Sequence, residues 1–377
     1  MGEIEIREVA SKGDMKTFIR CQSEIMKDVP HFAPPLGFER AQFFSEKKNP
    51  WFKHGRAAFY IAMKDGECAG RITAQIDDFQ EPVDGQPVGF FGNLVAIEDQ
   101  AVVDALIAAA KGWLAGQGYT VMRGPYSMNT NAESGLQIDG FDSHNYILMP
   151  QDPPWLPPMV EAAGLKGAKD LVTYRLDCTK PLPDRPRRLF RNAPEGMIAR
   201  PGKLKEWASE VGHMIRLFNL AWGQNWGYLQ YSDDEVRQIT SELRPLVDVE
   251  LCRFVELDGE VVGFITMLPN IYEPMEAIKG RLFPFGIFRL LWWLLGKKAK
   301  TARVLLMGVD PKIGDSIAGR IAPLLLIYSP EDRVHARGIE ELEFGWILED
   351  NAPVRSMIEM IGGTLAKTYR IYEAPTS

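Results

Sequence analysis

Apolar and polar residues alternate along the first half of the chain in blocks that predict strands and helices. Apolar residues at every second position are typical of strands, and apolar residues three to four positions apart are typical of helices. The predicted strands are 4–9, a hairpin at 58–76, 88–97, 119–123 and 171–176. The predicted helices are 15–26, 101–116 and 157–164. Strands and helices therefore interleave, as they do in α/β folds.

The second half repeats this order. Its pattern predicts a strand at 197–200, mostly helix over 204–246 with a break at 223–227, and a hairpin of strands 251–257 and 261–268. Asp258-Gly259 joins the hairpin, and both residues tolerate the positive φ of a two-residue turn. The elements predicted after it are strand 304–309, helix 317–328, strand 342–348, a helix opened by 350–353 and ended at 362–363, and strand 366–372.

Two short sequence patterns occur twice, in the same order. D-G-E-x-x-G-x-I-T stands at 65–73 and again at 258–266. Met-Val-Glu at 159–161 reappears as Met-Ile-Glu at 357–359, and a Tyr-Arg pair follows each copy. Repetition in register indicates one unit duplicated and fused, and a unit this long is a domain. We predict an N-terminal domain at 1–178, a proline-rich linker at 179–194 and a C-terminal domain at 195–377 with an apolar insert at 269–302.

Length, net charge and cysteine spacing exclude some classes of function. A chain of 377 residues with 46% hydrophobic residues is long and apolar enough for two packed domains. A net charge of −7 gives no bulk attraction to nucleic acid, so we expect no nucleic-acid partner. The four cysteines form no C-x-x-C pair, so neither a zinc site nor a disulfide framework is expected. The chain begins with a polar strand instead of an apolar signal region, which predicts a cytoplasmic protein.

Three further motifs carry a resemblance to a known family: N-P-W/F-x-x-H at 49–54, G-P-x-x-x-x-T-N-x-E-x-G at 124–135 and W-I-L-E-D-N at 346–351. With the element order, they make nearly the whole chain resemble tandem members of the GNAT acyltransferase superfamily, in particular the bacterial ceramide synthase group. The resemblance implies an α/β (α+β) fold of two GNAT-like domains, each a mixed, mostly antiparallel sheet flanked by helices. It also implies N-acylation of a sphingoid base by acyl-CoA as co-substrate, with no metal.

An acyl-CoA site of this kind needs a strand that pairs with the pantetheine arm and a turn whose amides face the pyrophosphate at a helix N-terminus. The second half offers this place where strand 304–309 runs into helix 317–328. The predicted cofactor-binding residues are Met307, Val309, Lys312, Gly314, Ser316, Ala318, Gly319 and, after the next strand, Asn351. The glycine signature is imperfect, and an ordinary strand-to-helix turn is the alternative.

The first half lacks such a turn. Its strand 88–97 runs through Glu98 and Asp99 directly into the next helix. Two carboxylates at this position repel phosphate groups. We therefore predict that only the second domain binds acyl-CoA.

A long polar segment follows strand 119–123, where the second half passes directly from strand to helix. Long polar loops are often functional, and we predict that this one borders an acceptor pocket between the domains. The substrate-binding candidates are Asn129, Asn131, Glu133, His144 and, from the 49–54 motif, His54. The alternatives are a surface loop that caps its own turns and histidines with structural roles.

The candidate base lies on strand 342–348. Strand parity places Glu341 and Glu343 on the face opposite Leu342 and Phe344. Glu343 is the more central, so we predict that it accepts the amine proton directly or through water. The alternative is that both glutamates lie near a solvated strand end.

The remaining chemistry requires an oxyanion donor and an acid. A backbone amide near Gly308 and Val309 can stabilise the oxyanion. Tyr369 on the last strand is the candidate acid, with Tyr372 as a second choice. Either tyrosine can instead be a core residue with a satisfied hydroxyl. The chain has no Ser-His-Asp spacing, so direct transfer is favoured over an acyl-enzyme.

The insert gives a clue to the acceptor. Between 282 and 295 its only charged residue is Arg289, and four basic residues follow by 303. This stretch is shorter than the roughly 20 residues that span a bilayer, and leucines and aromatics beside a lysine cluster are typical of interfacial helices. We predict peripheral membrane contact through 282–303, at the inner face of the membrane; a buried helix or pocket lid is the alternative.

Four functions follow from these patterns. The leading prediction is acyl transfer from acyl-CoA to a lipid amine. The others are acyl transfer to a small polar amine, transfer from aminoacyl-tRNA, which needs a basic groove, and non-catalytic acyl-CoA binding.

Overall fold

The computed structural model describes residues 3–128, 130, 132–223, 225–280, 285–296 and 298–377. Within those ranges, none of the helices combines the length and apolarity needed to cross a membrane.

The strands confirm the predicted order. They are β1 (Ile4–Glu8), β2 (Gly55–Lys64), β3 (Glu67–Asp77), β4 (Val88–Ala96), β5 (Val121–Gly124), β6 (Leu136–Asp139), β7 (Lys166–Asp177), β8 (Met197–Pro201), β9 (Arg253–Leu257), β10 (Glu260–Pro269), β11 (Thr301–Val309), β12 (Glu341–Leu348) and β13 (Thr364–Pro375). Both Asp-Gly pairs make the predicted hairpin turns, with positive φ at Asp65, Gly66, Asp258 and Gly259.

The helices also match, and α10 has the predicted bounds. They are α1 (Lys12–Ile25), α2 (Gly37–Phe43), α3 (Gln100–Gly116), α4 (Leu156–Ala162), α5 (Asp184–Arg187), α6 (Trp207–Trp222), α7 (Asp233–Leu243), α8 (Tyr272–Ile278), α9 (Gly286–Leu295), α10 (Ile317–Tyr328), α11 (Glu331–Ala336) and α12 (Ala352–Met360). Short 3₁₀ helices occupy Pro50–Lys53, Arg188–Asn192, Leu204–Glu206 and Pro311–Ile313.

The chain forms two compact units. Unit 1 contains Met1–Leu171, Tyr272–Ile287 and Lys367–Ser377, and unit 2 contains Val172–Ile271 and Phe288–Ala366. The grouping follows spatial contacts, since the end of β13 pairs with β5 inside unit 1. The domain boundaries at 178 and 195 stay a prediction about the duplicated sequence.

Unit 1 is built on strands in the order β1–β2–β3–β4–β5–β13. β4 and β5 run parallel, whereas the pairs β1–β2, β2–β3, β3–β4 and β5–β13 run antiparallel. The two faces of the sheet carry different helices. Ile72 and Ile76 of β3 share a core with Leu106 of α3. Phe59 and Ile61 of β2 pack instead with α1. Because successive side chains of a strand point to opposite faces, both faces of this sheet carry apolar side chains that pack against a helix.

Unit 2 repeats the arrangement with strands in the order β7–β12–β11–β10–β9–β8, where β11 and β12 are the parallel pair. Val255 and Ile265 pack with α10 on one face. Phe254 and Phe264, their neighbours in sequence, pack with α6 on the other. The predicted α/β fold, with mixed, mostly antiparallel sheets flanked by helices, is confirmed.

Candidate active site

Two neighbouring parallel strands separate in unit 2. β11 and β12 pair in register as far as Val304 opposite Phe344. Both continue beyond that pair, β11 to Val309 and β12 to Leu348. On its other side β11 stays paired with β10 up to Val309 opposite Gly263. The β12-facing edge of 305–309 therefore offers backbone groups to an extended ligand.

β11 leads into an exposed turn and then into the N-terminus of α10. Ser316 caps the helix, because its Oγ accepts from the Gly319 amide at 3.1 Å and donates to the Ile313 carbonyl at 2.7 Å. The first turn of α10 holds no acidic residue, and the side chain of Lys312 is exposed beside it. Helix amides, the positive end of the dipole and a lysine together make a place suited to a phosphate group.

A close backbone approach shapes this turn. A Cβ added to Gly319 would lie 2.1 Å from the Ile313 carbonyl oxygen and 2.7 Å from that of Gly314. Glycine is therefore required where the turn crosses the helix. Ala318 is buried in the core, and Met307 and Val309 are partly buried, so these three residues fix the backbone at the predicted cofactor site.

The charge of Asp310, at the start of the turn, is compensated locally. Its carboxylate accepts from the Lys312 amide at 2.9 Å and lies 3.4 Å from the Arg216 guanidinium. Asn351, on the far side of β12, caps α12 by accepting from the Val354 amide at 3.3 Å. The contact predicted between Asn351 and the cofactor stays a prediction.

The corresponding strand end in unit 1 differs in two respects. Asp99 caps α3 by accepting from the Ala101 amide at 3.0 Å, and it forms an ion pair with Lys64. Gly92 of β4 lies so close to the next segment that an added Cβ would stand 1.6 Å from the Tyr126 carbonyl oxygen. A carboxylate occupies this helix N-terminus, and backbone fills the space beside the strand.

Glu343 lies where β11 and β12 begin to separate. Its register partner is Arg303, one residue before the last pair, and Nε of Arg303 lies 3.9 Å from Oε2 of Glu343. Glu343 is fully buried, and Arg303 is 1% exposed and also donates to the Gly345 carbonyl at 2.9 Å. Glu343 is therefore not at a solvated strand end, and the guanidinium supplies the opposite charge that a buried carboxylate needs.

Tyr369 lies in unit 1, whereas Glu343 lies in unit 2. It is fully buried on β13 in register with Gln137 of β6, and a Cβ added to Gly135 would stand 2.9 Å from its own Cβ. The second candidate, Tyr372, donates to Glu161 at 3.1 Å, and burial raises the pKa of its hydroxyl. The acid role of Tyr369 stays a prediction.

Strand β3 of unit 1 buries polar side chains along one face. They alternate with the apolar residues packed against α3, and none of them is more than 3% exposed. These residues are Arg71, Thr73, Gln75 and Asp77. The matching strand of the second repeat carries Phe264 where β3 has Arg71 and Leu268 where β3 has Gln75, so this face is more polar in unit 1.

At one end of this polar face, Asp77 contacts residues of the 49–54 motif. Asn49 caps the 3₁₀ helix, and Asp77 accepts from Trp51 Nε1 at 2.9 Å. Nδ1 of His54 lies 3.1 Å from Asp77, and its ring stacks on Phe79. The contacts of His54 are thus those of a packed histidine, which is the structural alternative for this candidate.

The other end joins the 124–135 motif through a chain of hydrogen bonds. Asn93 donates to Thr73 at 3.2 Å, and Ser127 contacts Asn93 at 3.3 Å and donates to Glu133 at 2.9 Å. Arg40 completes the chain with an ion pair to Glu133 at 2.6 Å. Glu133 therefore belongs to a partly buried polar network instead of a freely solvated loop.

A cavity of about 40 Å³ opens on this network and is lined by Arg71, Glu133 and Asp152 among others. Arg71 donates to Gln22 at 2.9 Å, and burial lowers the pKa of its guanidinium to about 10. Burial raises the pKa of the Asp152 carboxyl to about 7, although a hydrogen bond from the Gln137 amide opposes this. Since a water requires about 10–15 Å³, the cavity admits a small polar group and is too small for an acyl chain.

His144, another acceptor candidate, is not among the residues that line the cavity. His144 is about half exposed, 3.1 Å from Glu276 of α8. Asn129 and Asn131 lie outside the described residues. The sequence analysis did not predict Arg71 or Asp152 as site residues. The alternation R-I-T-A-Q-I-D at 71–77 was the available signal. It did not indicate a buried polar face, because a strand with polar residues on one face and apolar residues on the other is usually solvated on the polar side.

Helix α9 of the insert exposes an apolar face. Leu290 and Trp293 are buried. The exposed residues fall at helical spacings of three and four; they are Phe288, Leu291, Trp292 and Leu295. Lys298 follows the helix and lies over the Trp292 ring at 5.4 Å. Residues 281–284 and 297 of the predicted membrane segment lie outside the described residues.

No family model matches the chain. Two bacterial proteins are similar to it over almost their whole length. The "Bacterial ceramide synthase" of Caulobacter vibrioides (strain NA1000 / CB15N) is 36% identical over 373 residues, covering 98% of this chain and 97% of the relative. "Protein YghO" of Escherichia coli (strain K12) is 37% identical over 370 residues, covering 98% and 94%.

A solved structure shares the fold. A tandem GNAT protein from the clavulanic acid biosynthesis pathway superposes with a TM-score of 0.58 at 12% identity, covering 100% of this chain and 99% of the other. The tandem arrangement predicted from the repeat and the GNAT fold implied by the family resemblance are therefore confirmed.

Proposed function

Since the chain belongs to the family of the bacterial ceramide synthase and has a tandem GNAT fold, we propose that it is an N-acyltransferase that uses acyl-CoA to acylate a lipid amine of the sphingoid-base class. Activity, acyl donor and acceptor class are all parts of this proposal. Each has its own support in the geometry.

The observation that carries the proposal is the separation of β11 from β12 beside the N-terminus of α10. The pantetheine arm pairs with the free edge of 305–309, and the pyrophosphate lies on the amides of the turn near Lys312 and Ser316. Unit 1 has the carboxylate of Asp99 at the equivalent helix N-terminus. One acyl-CoA per chain is therefore expected, in unit 2.

The chemistry is direct transfer. The amine nitrogen attacks the thioester carbonyl, a backbone amide near Val309 stabilises the oxyanion, and the thiolate leaves with a proton. Glu343 accepts the proton that the amine loses, directly or through water; its place at the point of strand separation supports this role. Tyr369 is the proposed proton donor to the thiolate.

The acceptor's polar end is assigned to the cavity of unit 1. Glu133 and Asp152 offer carboxyl oxygens to a hydroxyl group of the acceptor, and Arg71 offers guanidinium donors to the same kind of group. The volume of about 40 Å³ supports binding of a small polar group there and leaves the hydrocarbon chain outside.

A lipid acceptor also fits the exposed face of α9. Phe288 and Trp292 with the nearby Lys298 have the composition of a helix that rests on an anionic bilayer surface. We place the enzyme at the cytoplasmic face of the membrane, in peripheral contact through 282–303.

The decisive experiment incubates the protein with a long-chain acyl-CoA and a sphingoid base, and follows CoA-thiol release together with amide formation by mass spectrometry. We expect both products, in equal amounts, and no thiol release without the base. Lys312→Ala should raise KM for acyl-CoA several-fold, because it removes one phosphate contact, while Lys205→Ala on the exposed surface of the same unit should not.

Three outcomes contradict parts of the proposal. Acylation of a small polar amine in preference to sphingoid bases rejects the lipid acceptor but keeps the transferase. If the protein binds acyl-CoA but acylates no amine, it is a non-catalytic acyl-CoA-binding protein. Absence of acyl-CoA binding rejects the site in unit 2 altogether.

A further inference from the structure

Three potential metal ligands meet on unit 1, outside the proposed reaction site. They are His31, which follows α1, His144, which lies between β6 and α4, and Glu276 on α8. One ligand atom from each lies within 4.8 Å of the other two. Nδ1 of His144 is 3.1 Å from a carboxylate oxygen of Glu276, and the two imidazole rings lie edge to face with centroids 4.6 Å apart.

We propose that His31, His144 and Glu276 bind a divalent transition metal ion, zinc by preference. Zinc–ligand bonds of about 2.0–2.2 Å place tetrahedral ligand atoms about 3.3 Å apart, so small side-chain movements bring all three atoms to one ion. Two imidazoles and one carboxylate suit zinc, whereas magnesium and calcium prefer oxygen ligands throughout. Water takes the fourth position, since the side chains of His144 and Glu276 are 47% and 39% exposed.

The ion would connect segments that are far apart in sequence. Glu276 lies at the start of the insert 269–302, which the first repeat lacks, and the two histidines come from the body of unit 1. Gly280, just after α8, lies close enough to Pro34 that an added Cβ would be 3.0 Å from that ring, so this part of the insert already packs beside the His31 segment. A bound ion would hold α8 in place, and its role is structural.

The test measures zinc binding to the full chain after EDTA treatment, in a reducing buffer, by calorimetry and by metal analysis after dialysis. We expect one zinc ion per chain in the wild-type protein, a rise in Tm with zinc, and at least a tenfold weaker affinity in His31→Ala, His144→Ala and Glu276→Gln. The matched control His335→Ala removes an exposed histidine of unit 2 and should bind zinc like the wild type.

Because all three side chains are at least partly exposed, the variants and the wild type should melt at similar temperatures in EDTA, which separates lost binding from lost folding. Cobalt(II) should give visible absorption bands of a four-coordinate ion in the wild type and lose them in His144→Ala. The proposal is overturned if zinc does not bind or if the three substitutions leave its affinity unchanged.

Discussion

Glu343 combines full burial with a position at the point where two strands separate. As the proposed base, it should be replaceable by glutamine with the fold intact and the chemistry lost. We expect Glu343→Gln to lower kcat by roughly 10²–10⁴-fold with little change in the Kd for acyl-CoA, measured by steady-state kinetics and calorimetry.

Glu341 provides the matched control for that variant. It lies on the same face of β12, is partly exposed, and stands 3.9 Å from Arg175. Equal losses of kcat in Glu341→Gln and Glu343→Gln would contradict a specific role for Glu343. Loss of the charge opposite Arg303 lowers the Tm under either role. A purely structural role therefore predicts a different kinetic result: kcat of the folded protein is unchanged.

Gly319 allows the turn before α10 to lie against the helix. Gly319→Ala forces the Ile313 carbonyl to move, at a cost of about 1–3 kcal/mol in overpacking, and should weaken acyl-CoA binding at least tenfold while kcat at saturation changes less. Gly212→Ala is the control, because an added Cβ meets nothing within 4 Å in helix α6 and alanine favours helix. Unchanged acyl-CoA affinity in Gly319→Ala would place the phosphates elsewhere.

Asp152 makes stability depend on pH with a defined sign. Its folded pKa of about 7 exceeds the unfolded value of about 3.9, so between these values the folded state holds a proton that the unfolded state releases. Its contribution to stability is therefore present at low pH and is lost as the pH rises to about 7, by up to about 1.4 kcal/mol per pH unit.

Replacing Asp152 with asparagine removes the carboxyl group that titrates. The free energy of unfolding of Asp152→Asn, relative to wild type, should rise between pH 4.5 and pH 8 in urea melts. Asp142→Asn changes an exposed carboxyl of the same segment and should give a curve parallel to the wild type. A curve for Asp152→Asn that is also parallel would show that the carboxyl is solvated.

Helices and hairpins whose ends are marked by capping or turn residues could be predicted from the sequence. The bounds of α10 follow from Ser316 as cap and an apolar pattern, and both hairpins follow from Asp-Gly pairs at the turns. The separation of β11 from β12 could not be derived from the residues of either strand, because strand pairing beyond Val304 depends on tertiary packing.

Short elements and the polar cavity escaped prediction for a physical reason. Helices α2 and α11 are too short to show a clear period. The cavity collects Gln22, Arg71, Glu133 and Asp152 from four separate segments. No local spacing connects these residues; only the sheet of unit 1 and the network around Glu133 bring them together.

Helix α9 is the element whose exposed face requires an explanation. If it rests on a membrane, Phe288→Ser with Trp292→Ser should reduce cosedimentation with vesicles of anionic lipid at least tenfold, and neutral vesicles should bind the wild type more weakly, since each basic residue near the surface contributes about 1 kcal/mol. Leu204→Ser, which removes another exposed apolar side chain of unit 2, is the control. Equal binding of all variants would instead favour a lid.

At the scale of the molecule, duplication has produced two halves with different chemistry. The second copy keeps an open strand edge and an amide-lined turn. The first copy fills the equivalent edge with the backbone at Tyr126 and places polar side chains inside its sheet. The repeat therefore predicts the fold of both halves, whereas the function assigned to each half depends on the residues in which they differ.

This asymmetry predicts the stoichiometry of acyl-CoA binding. Titration calorimetry should give one site per chain, weakened by Lys312→Ala and Gly319→Ala. Asp99→Asn keeps a helix cap and removes the carboxylate from the N-terminus of α3, yet it should still give one site, because the backbone at Tyr126 occupies the strand edge that pantetheine needs. Two sites in the wild type would contradict the asymmetry. A second site that appears only in Asp99→Asn would show that charge alone excludes the cofactor from unit 1.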